Sequence, residues 1–515
     1  MPTARAGELA ASDGTGVVHG IDDAVRRLGA AAVARLVSAG LNSASSVVVV
    51  ALMVRLLGTS SYGVLAFFLS IVVLLAGLSR AGWGLATVQT LASLQTKAAR
   101  GRIISAAMAL ALVTSAVGAA VLLAIVPAAS RDLDGASRGI LLCGLIAALV
   151  GTNFSAAASS IARGSARPVL SELPHLVIAL ARLIALLALA VAGSRSLGSV
   201  ALALGAAGVA GLVVSVASAR SCVRASALPR ERSTPGIRIL VTASIPFVLQ
   251  TVAAMMIARL DVVFLGLVSS PAAVGEYEAT LRMTERLFQL VPFLLLAQYL
   301  PVATTLWQGG HVEEFERLYR GVTRLSYWVI VPIFITLAAF PEPLLRLVFG
   351  ASFPVHPQVV WVLVAGLVPN AVLATTWMAL AATGERRMLV QVSGLTLVVM
   401  VGSAALFIPW LGMVGAAAAT SVSMLTQQVA AAKALHRRTG IRPMHQKFLG
   451  LLAGSALLML VAFAFRWRIV DGSIWSVALT SAAVLLAWLA WVWRTERPGM
   501  RWLFNMALAP QARRT

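Results

Sequence analysis

Residues 259–286 read RLDVVFLGLVSSPAAVGEYEATLRMTER, with long apolar runs on both sides. The flanks mark a membrane protein, and the stretch carries Arg259, Asp261, Glu276, Glu278, Arg282, Glu285 and Arg286 toward membrane depth. A charge at the centre of a bilayer costs roughly 2.5–3.5 kcal/mol on insertion scales, so such residues usually face a bundle interior or a watery cavity. On a helix, Glu278, Arg282, Glu285/Arg286 and Gln289 recur at three- and four-residue steps and share one face. That stripe runs about 16 Å at about 1.5 Å per residue, roughly half the hydrocarbon core. The neighbouring helix brings Arg259 and Asp261. The pair reads as one wall of a polar cavity. A plainer reading, in which the charges pair only with each other to fix helix packing, stands beside it.

Composition sets the class. Hydrophobic residues make up 59% and charged residues 12%, with a mean hydropathy of +0.89. A soluble domain carries about 25% charged residues. Apolar runs of about 20 residues recur along nearly the whole chain, so the fold class is an all-α polytopic membrane protein. The short alternating segments of a barrel are absent. The net charge of +22 is gathered in short alternate loops, which fits membrane orientation and an anionic leaflet rather than nucleic acid. Cys143 lies in an apolar run and Cys222 in a basic loop, so no disulfide framework is expected. The first 20 residues are polar, without the apolar core of a removable signal peptide.

The apolar runs number about 14, near 31–56, 63–90, 103–127, 139–160, 170–193, 198–219, 240–267, 274–303, 325–345, 358–381, 388–409, 412–434, 448–466 and 473–493. An even count puts both termini on one side. That side carries 28 lysines and arginines and the other side six. Positive-inside then makes both termini cytoplasmic, in an inner (plasma) membrane. The expected organisation is a cytoplasmic segment 1–30, a six-helix lobe 31–219, a basic linker 220–239 and a second six-helix lobe 240–434. A cytoplasmic loop 435–447, two extra helices in 448–493 and a basic tail 494–515 follow.

Seven arginines fall within or at the edges of spans: Arg35, Arg55, Arg80, Arg182, Arg259, Arg282 and Arg286. Arg35 and Arg55 sit near span ends, where a long side chain reaches the interface. Arg80 and Arg182 fall near mid-span with no acid within four positions. Against the seven stand Asp261, Glu278 and Glu285. The excess suits a cavity that receives an anion such as phosphate or pyrophosphate, which arginine grips with a planar fork. His175 reads better as a packed or interfacial histidine than as a proton site.

The chain also echoes itself. RLLGTSSYGVLA ends the first span, and RLDVVFLGLVSSPAAVGEYEATL ends the seventh. IARGSARPVL precedes the fifth and LAATGERRML the eleventh. Echoes six spans apart keep the same orientation. They make a parallel repeat of six plus six, an arrangement that places substrate near the midplane between halves.

The run LAATGERRMLVQVSGLTLVVMVGSAALFIPWLGMVGAAAATSVSMLTQQ, residues 380–428, resembles the C-terminal half of bacterial polysaccharide-unit flippases. These are the O-antigen and exopolysaccharide (Wzx-type) transporters of the MOP exporter superfamily. RLLGTSSYG is similar to that family's first outer turn. RLDVVFLG with VGEYEAT, IPFVLQ, and AQYLPVATTL followed by HVEEFERLYR are similar to its middle. The resemblance covers roughly 31–440. It implies flipping of an undecaprenyl-pyrophosphate-linked oligosaccharide between leaflets by alternating access. The partners it implies are that substrate and membrane lipids, with polysaccharide assembly enzymes as further candidates. Arg80, Arg182, Arg259, Arg282 and Arg286 are the candidate pyrophosphate ligands, oriented by Asp261 and Glu285. No cofactor or metal is expected, since Walker, HExxH and metal-ligand patterns are absent.

Two other transporter readings compete. A multidrug-type cation-coupled antiporter would use Asp261 and Glu285 for ions but has twelve spans. A flippase for the peptidoglycan lipid precursor has a similar span count. An enzyme of polysaccharide assembly would need a sizeable outer loop, and every outer loop here is about a dozen residues or fewer.

Overall fold

Gly58 and Gly412 interrupt two very long helices. In the computed structural model, which describes residues 14–80, 82–94, 96–130, 133–224, 235–441 and 482–494, the first helix α1 spans Gly14–Arg80 with Gly58 at φ 73°, ψ 171°. A straight helix of 67 residues would run about 100 Å, some three hydrocarbon thicknesses. Gly58 breaks it because a left-handed φ is open to glycine at little cost. The chain continues through α2 (Trp83–Ser93), α3 (Lys97–Ala129), α4 (Gly135–Gly164), α5 (Pro168–Val191) and α6 (Leu197–Arg224).

The second half repeats the plan with more breaks. It holds α7 (Pro235–Ile257), α8 (Leu260–Val268), α9 (Pro271–Gln308), α10 (Val312–Ala339) and α11 (Pro341–Phe349). Then come α12 (Pro357–Val372), α13 (Ala374–Ala382) and α14 (Arg386–Thr439), the last kinked at Gly412 (φ 55°, ψ −124°). A methyl group on Gly415 would overlap the Phe407 carbonyl, so the chain doubles back tightly there. A final helix, α15, spans Ala482–Arg494.

Eight of the described helices are long and apolar enough to cross a membrane, or nine if the pair Gly236–Ile245 and Val248–Ile257, bent by 66°, forms one span. Two of the eight, Ala44–Ser93 and Arg387–Thr439, are each long enough to cross twice about a glycine turn. The described helices coincide with the first twelve apolar runs; no strand occurs among the described residues. The run 448–466, the start of 473–493, residues 1–13 and 225–234, the loop 442–447 and the tail from 495 lie outside the described residues.

Contacts sort onto two ends. At the end with the basic loops, a methyl on Gly236 would press on the Arg102 carbonyl. Arg438 Nε meets Glu385 Oε1 at 2.9 Å, with its guanidinium 5.9 Å from the Trp307 ring centre. At the opposite end the two echoing turns meet each other. A methyl on Gly63 would overlap the Pro271 carbonyl, and one on Gly275 would overlap that of Thr59. This reciprocity is what two halves related by a two-fold axis produce. Arg55 reinforces this end: its Nε and Nη2 donate to the carbonyls of Val348 (3.0 Å) and Leu347 (2.6 Å) at the C-terminus of α11. Arg55 therefore caps a helix of the other half, and the cation complements the helix's negative end.

Small residues set the remaining close contacts. Ala416, Ala417 and Ala419 are fully buried, and Gly366 of α12 lies against Ser421. Gly394 and Gly402, in the eleventh run, face open space, while Ala404 of the same run is fully buried. The C-terminal α15 docks on α10: Trp488 is fully buried and its Nε1 donates to the Trp328 carbonyl at 2.8 Å.

Candidate functional site

The two halves enclose a cavity of about 330 Å3 where α1 meets α9. Its walls come from α1 (Ser45, Ser46, Tyr62, Ser70), α4 (Thr152), α5 (His175, Arg182), Arg259 and α9 (Glu278, Arg282, Arg286), with apolar residues between. The volume falls in the range of ligand pockets, which run from about 300 to 1,000 Å3.

Local sequence explains how the charges arrive. Pro271 opens α9, and Ser270 Oγ accepts from Ala273 N at 3.3 Å, a capped start that sets the register of the whole stripe. Glu278, Arg282 and Arg286 then follow at four-residue intervals on one face. Arg259 occupies the break between α7 and α8. Non-helical backbone at membrane depth is tolerated where it lines a cavity or is buried in protein.

The charges form one connected group. Glu278 Oε1 accepts from Arg259 Nη1 at 3.2 Å and from Arg282 Nε at 2.6 Å. Arg282 Nη1 donates to Glu285 Oε2 at 2.9 Å. Arg182 stands apart on α5, its buried Nε without a hydrogen-bond partner among the described residues; Arg259 Nε and Glu278 Oε2 share that condition. Four lining arginines against Glu278 and the attached Glu285 leave two formal positive charges over.

Four of the five arginines singled out in the sequence thus share one cavity: Arg182, Arg259, Arg282 and Arg286. Three other candidates are not among its lining residues. Arg80 ends α1 and folds back, Nε donating to its own Ala76 carbonyl at 2.9 Å. Glu285 meets the lining group through Arg282. Asp261 is buried in a different junction, where Oδ2 accepts from Tyr277 Oη (2.6 Å) and Thr420 Oγ1 (2.8 Å) and Oδ1 accepts from Val262 N (2.8 Å). It ties α8, α9 and α14 together and holds no arginine in those bonds. His175, read as packed or interfacial, is half-buried and lies among the lining residues of the cavity. Glu278 is the acid that organises the arginines, and its place on the α9 stripe is the signal for it. Tyr62, Thr152 and the serines carry no comparable signal, since uncharged polar residues are common in spans.

The chamber between the two helical halves is net cationic and partly apolar. A family model described as "Polysaccharide biosynthesis protein" matches residues 52–356, and the chain belongs to that family. It is 22% identical over 258 residues to the probable low-salt glycan biosynthesis flippase Agl15 of Haloferax volcanii, a match covering 50% of this chain and 54% of that protein. The chain thus spans about half the length of that curated relative. Its fold is similar to that of the lipid II flippase MurJ in an inward closed conformation, with TM-score 0.70 and 13% identity over 90% of this chain and 98% of that one. A multidrug resistance MATE family transporter of the MOP superfamily, facing inward, gives TM-score 0.59 and 16% identity over 79% of this chain and 98% of that one. The fold is therefore shared with these two polytopic transporter structures.

Proposed function

We propose that this protein flips a lipid-linked oligosaccharide from the inner to the outer leaflet for cell-surface polysaccharide assembly. The observation that supports it most is the set of four arginines from both halves around one interlobe cavity. A sugar–pyrophosphate headgroup is too polar to cross lipid unaided. Guanidinium forks match its oxygens, and an opening between helices passes the apolar tail outside. The lobes 31–219 and 240–434 rock against each other about the seam of α1 and α9, exposing the cavity first to one leaflet and then to the other. The substrate and membrane lipids are the partners of this reading, with assembly enzymes beside them. The full architecture is fourteen spans in an inner membrane with both termini cytoplasmic.

The test is transport in liposomes holding purified protein and a fluorescent lipid-pyrophosphate oligosaccharide, with leaflet-specific quenching as the readout. Wild type should move the lipid, and Arg282→Ala and Arg286→Ala should abolish movement while expressing normally. Normal transport by both variants would sink the assignment of the cavity. A peptidoglycan lipid precursor presents the same pyrophosphate, so competition between the two lipids identifies the preferred glycan. Cation-coupled efflux of small dyes without lipid movement would favour the antiporter.

A further inference from the structure

Glu278 is held in an unbalanced way. One oxygen takes both arginine contacts, Arg259 at 3.2 Å and Arg282 at 2.6 Å. The other oxygen is buried and has no hydrogen-bond partner among the described residues. An ionised carboxylate offers about four acceptor positions, and a buried one left half-used is costly. Yet the residue is only 6% exposed and lines the cavity. Glu278 lies in the fork where an incoming phosphoryl group would bind.

Resting on the flippase reading above, we propose that Glu278 is a built-in counter-anion that occupies the phosphoryl position and makes the protein select a diphosphate over a monophosphate. The charges argue for it. Arg259 and Arg282 are already matched by Glu278 and Glu285. A single phosphoryl group that displaces Glu278 exchanges one anion for another and leaves a carboxylate to be accommodated elsewhere, which a dry site resists. A diphosphate brings a second phosphoryl group. That group finds Arg182, on the other half of the same cavity, whose Nε no described residue satisfies. The second contact offsets the displacement of Glu278. Glu278 is thus a specificity residue that acts by occupying the site.

The experiment measures binding of undecaprenyl phosphate and undecaprenyl pyrophosphate to the full-length protein in lipid nanodiscs. Wild type is compared with Glu278→Gln, Glu278→Asp and Arg182→Gln. Wild type should prefer the pyrophosphate by about tenfold or more, the scale of one desolvated charge contact. Glu278→Gln should tighten the monophosphate more than the pyrophosphate and narrow that preference several-fold. Glu278→Asp, one methylene shorter, should fall between, and it carries the test if the glutamine variant does not fold. Arg182→Gln should weaken the pyrophosphate alone. A preference that survives unchanged in the folded Glu278 variants overturns the inference and leaves the flippase reading intact. Wild type that binds neither lipid overturns both.

Discussion

Asp261 and Glu278 are two buried acids seventeen residues apart, and their surroundings give them opposite tasks. Asp261 accepts from a tyrosine, a threonine and a backbone amide and has no free oxygen. Asp261→Asn turns one of these acceptors into a donor facing hydroxyls, and should lower stability by about 1–3 kcal/mol. Thermal unfolding in detergent measures that loss, while transport per folded molecule should persist. Loss of transport at full stability would return Asp261 to the substrate path. The burial of both acids was legible in the sequence from their apolar flanks, and so was the spacing that puts Glu278 on the arginine face. The direction in which Asp261 points was not. It follows the break at Ala258–Arg259, and a helix restarted after a break takes its azimuth from its neighbours, here Tyr277 and Thr420. Arg80 illustrates the same limit, since its place in an apolar run does not say that the helix ends there or that the guanidinium folds back on its own turn.

Between elements, the end opposite the basic loops is closed by Arg55 on α11 and by the mutual approach of Gly63 and Gly275. Arg55→Ala removes two hydrogen bonds that cross from one half to the other. Spin labels at Leu57 and Leu347 should then report a population with longer separation. An unchanged distance distribution would make Arg55 a local cap only. Gly275→Val places a branched side chain where the Thr59 carbonyl lies. It should shift the same distribution further and cost about 1–3 kcal/mol from overpacking. The echo between RLLGTSSYG and VGEYEAT is visible in the sequence, and its six-span offset implies halves of equal orientation. That the two echoes would touch each other was not visible, because a repeat specifies the symmetry of the halves and not which surfaces lie on the axis.

For the molecule as a whole, the docked C-terminal helix and the charge asymmetry make separate predictions. Trp488→Ala should cost about 3–5 kcal/mol, since a fully buried indole leaves a large void against α10. Denaturation of the purified variant measures it. Reporter fusions at either terminus should read cytoplasmic, given 28 basic residues on that side against six; an external reading at either one would overturn the proposed orientation. The backbone contact at Gly63 and Gly275 also has a mechanical meaning. From Gly275 the α9 axis runs about 16 Å to Arg286 and about 50 Å to Gln308, at about 1.5 Å per residue. If that contact is the fulcrum, α9 is a lever with a threefold arm ratio. An ångström of yielding around a bound phosphate becomes about three ångströms of parting at the basic end, and a smooth bearing of bare peptide lets it swing without side chains to strip.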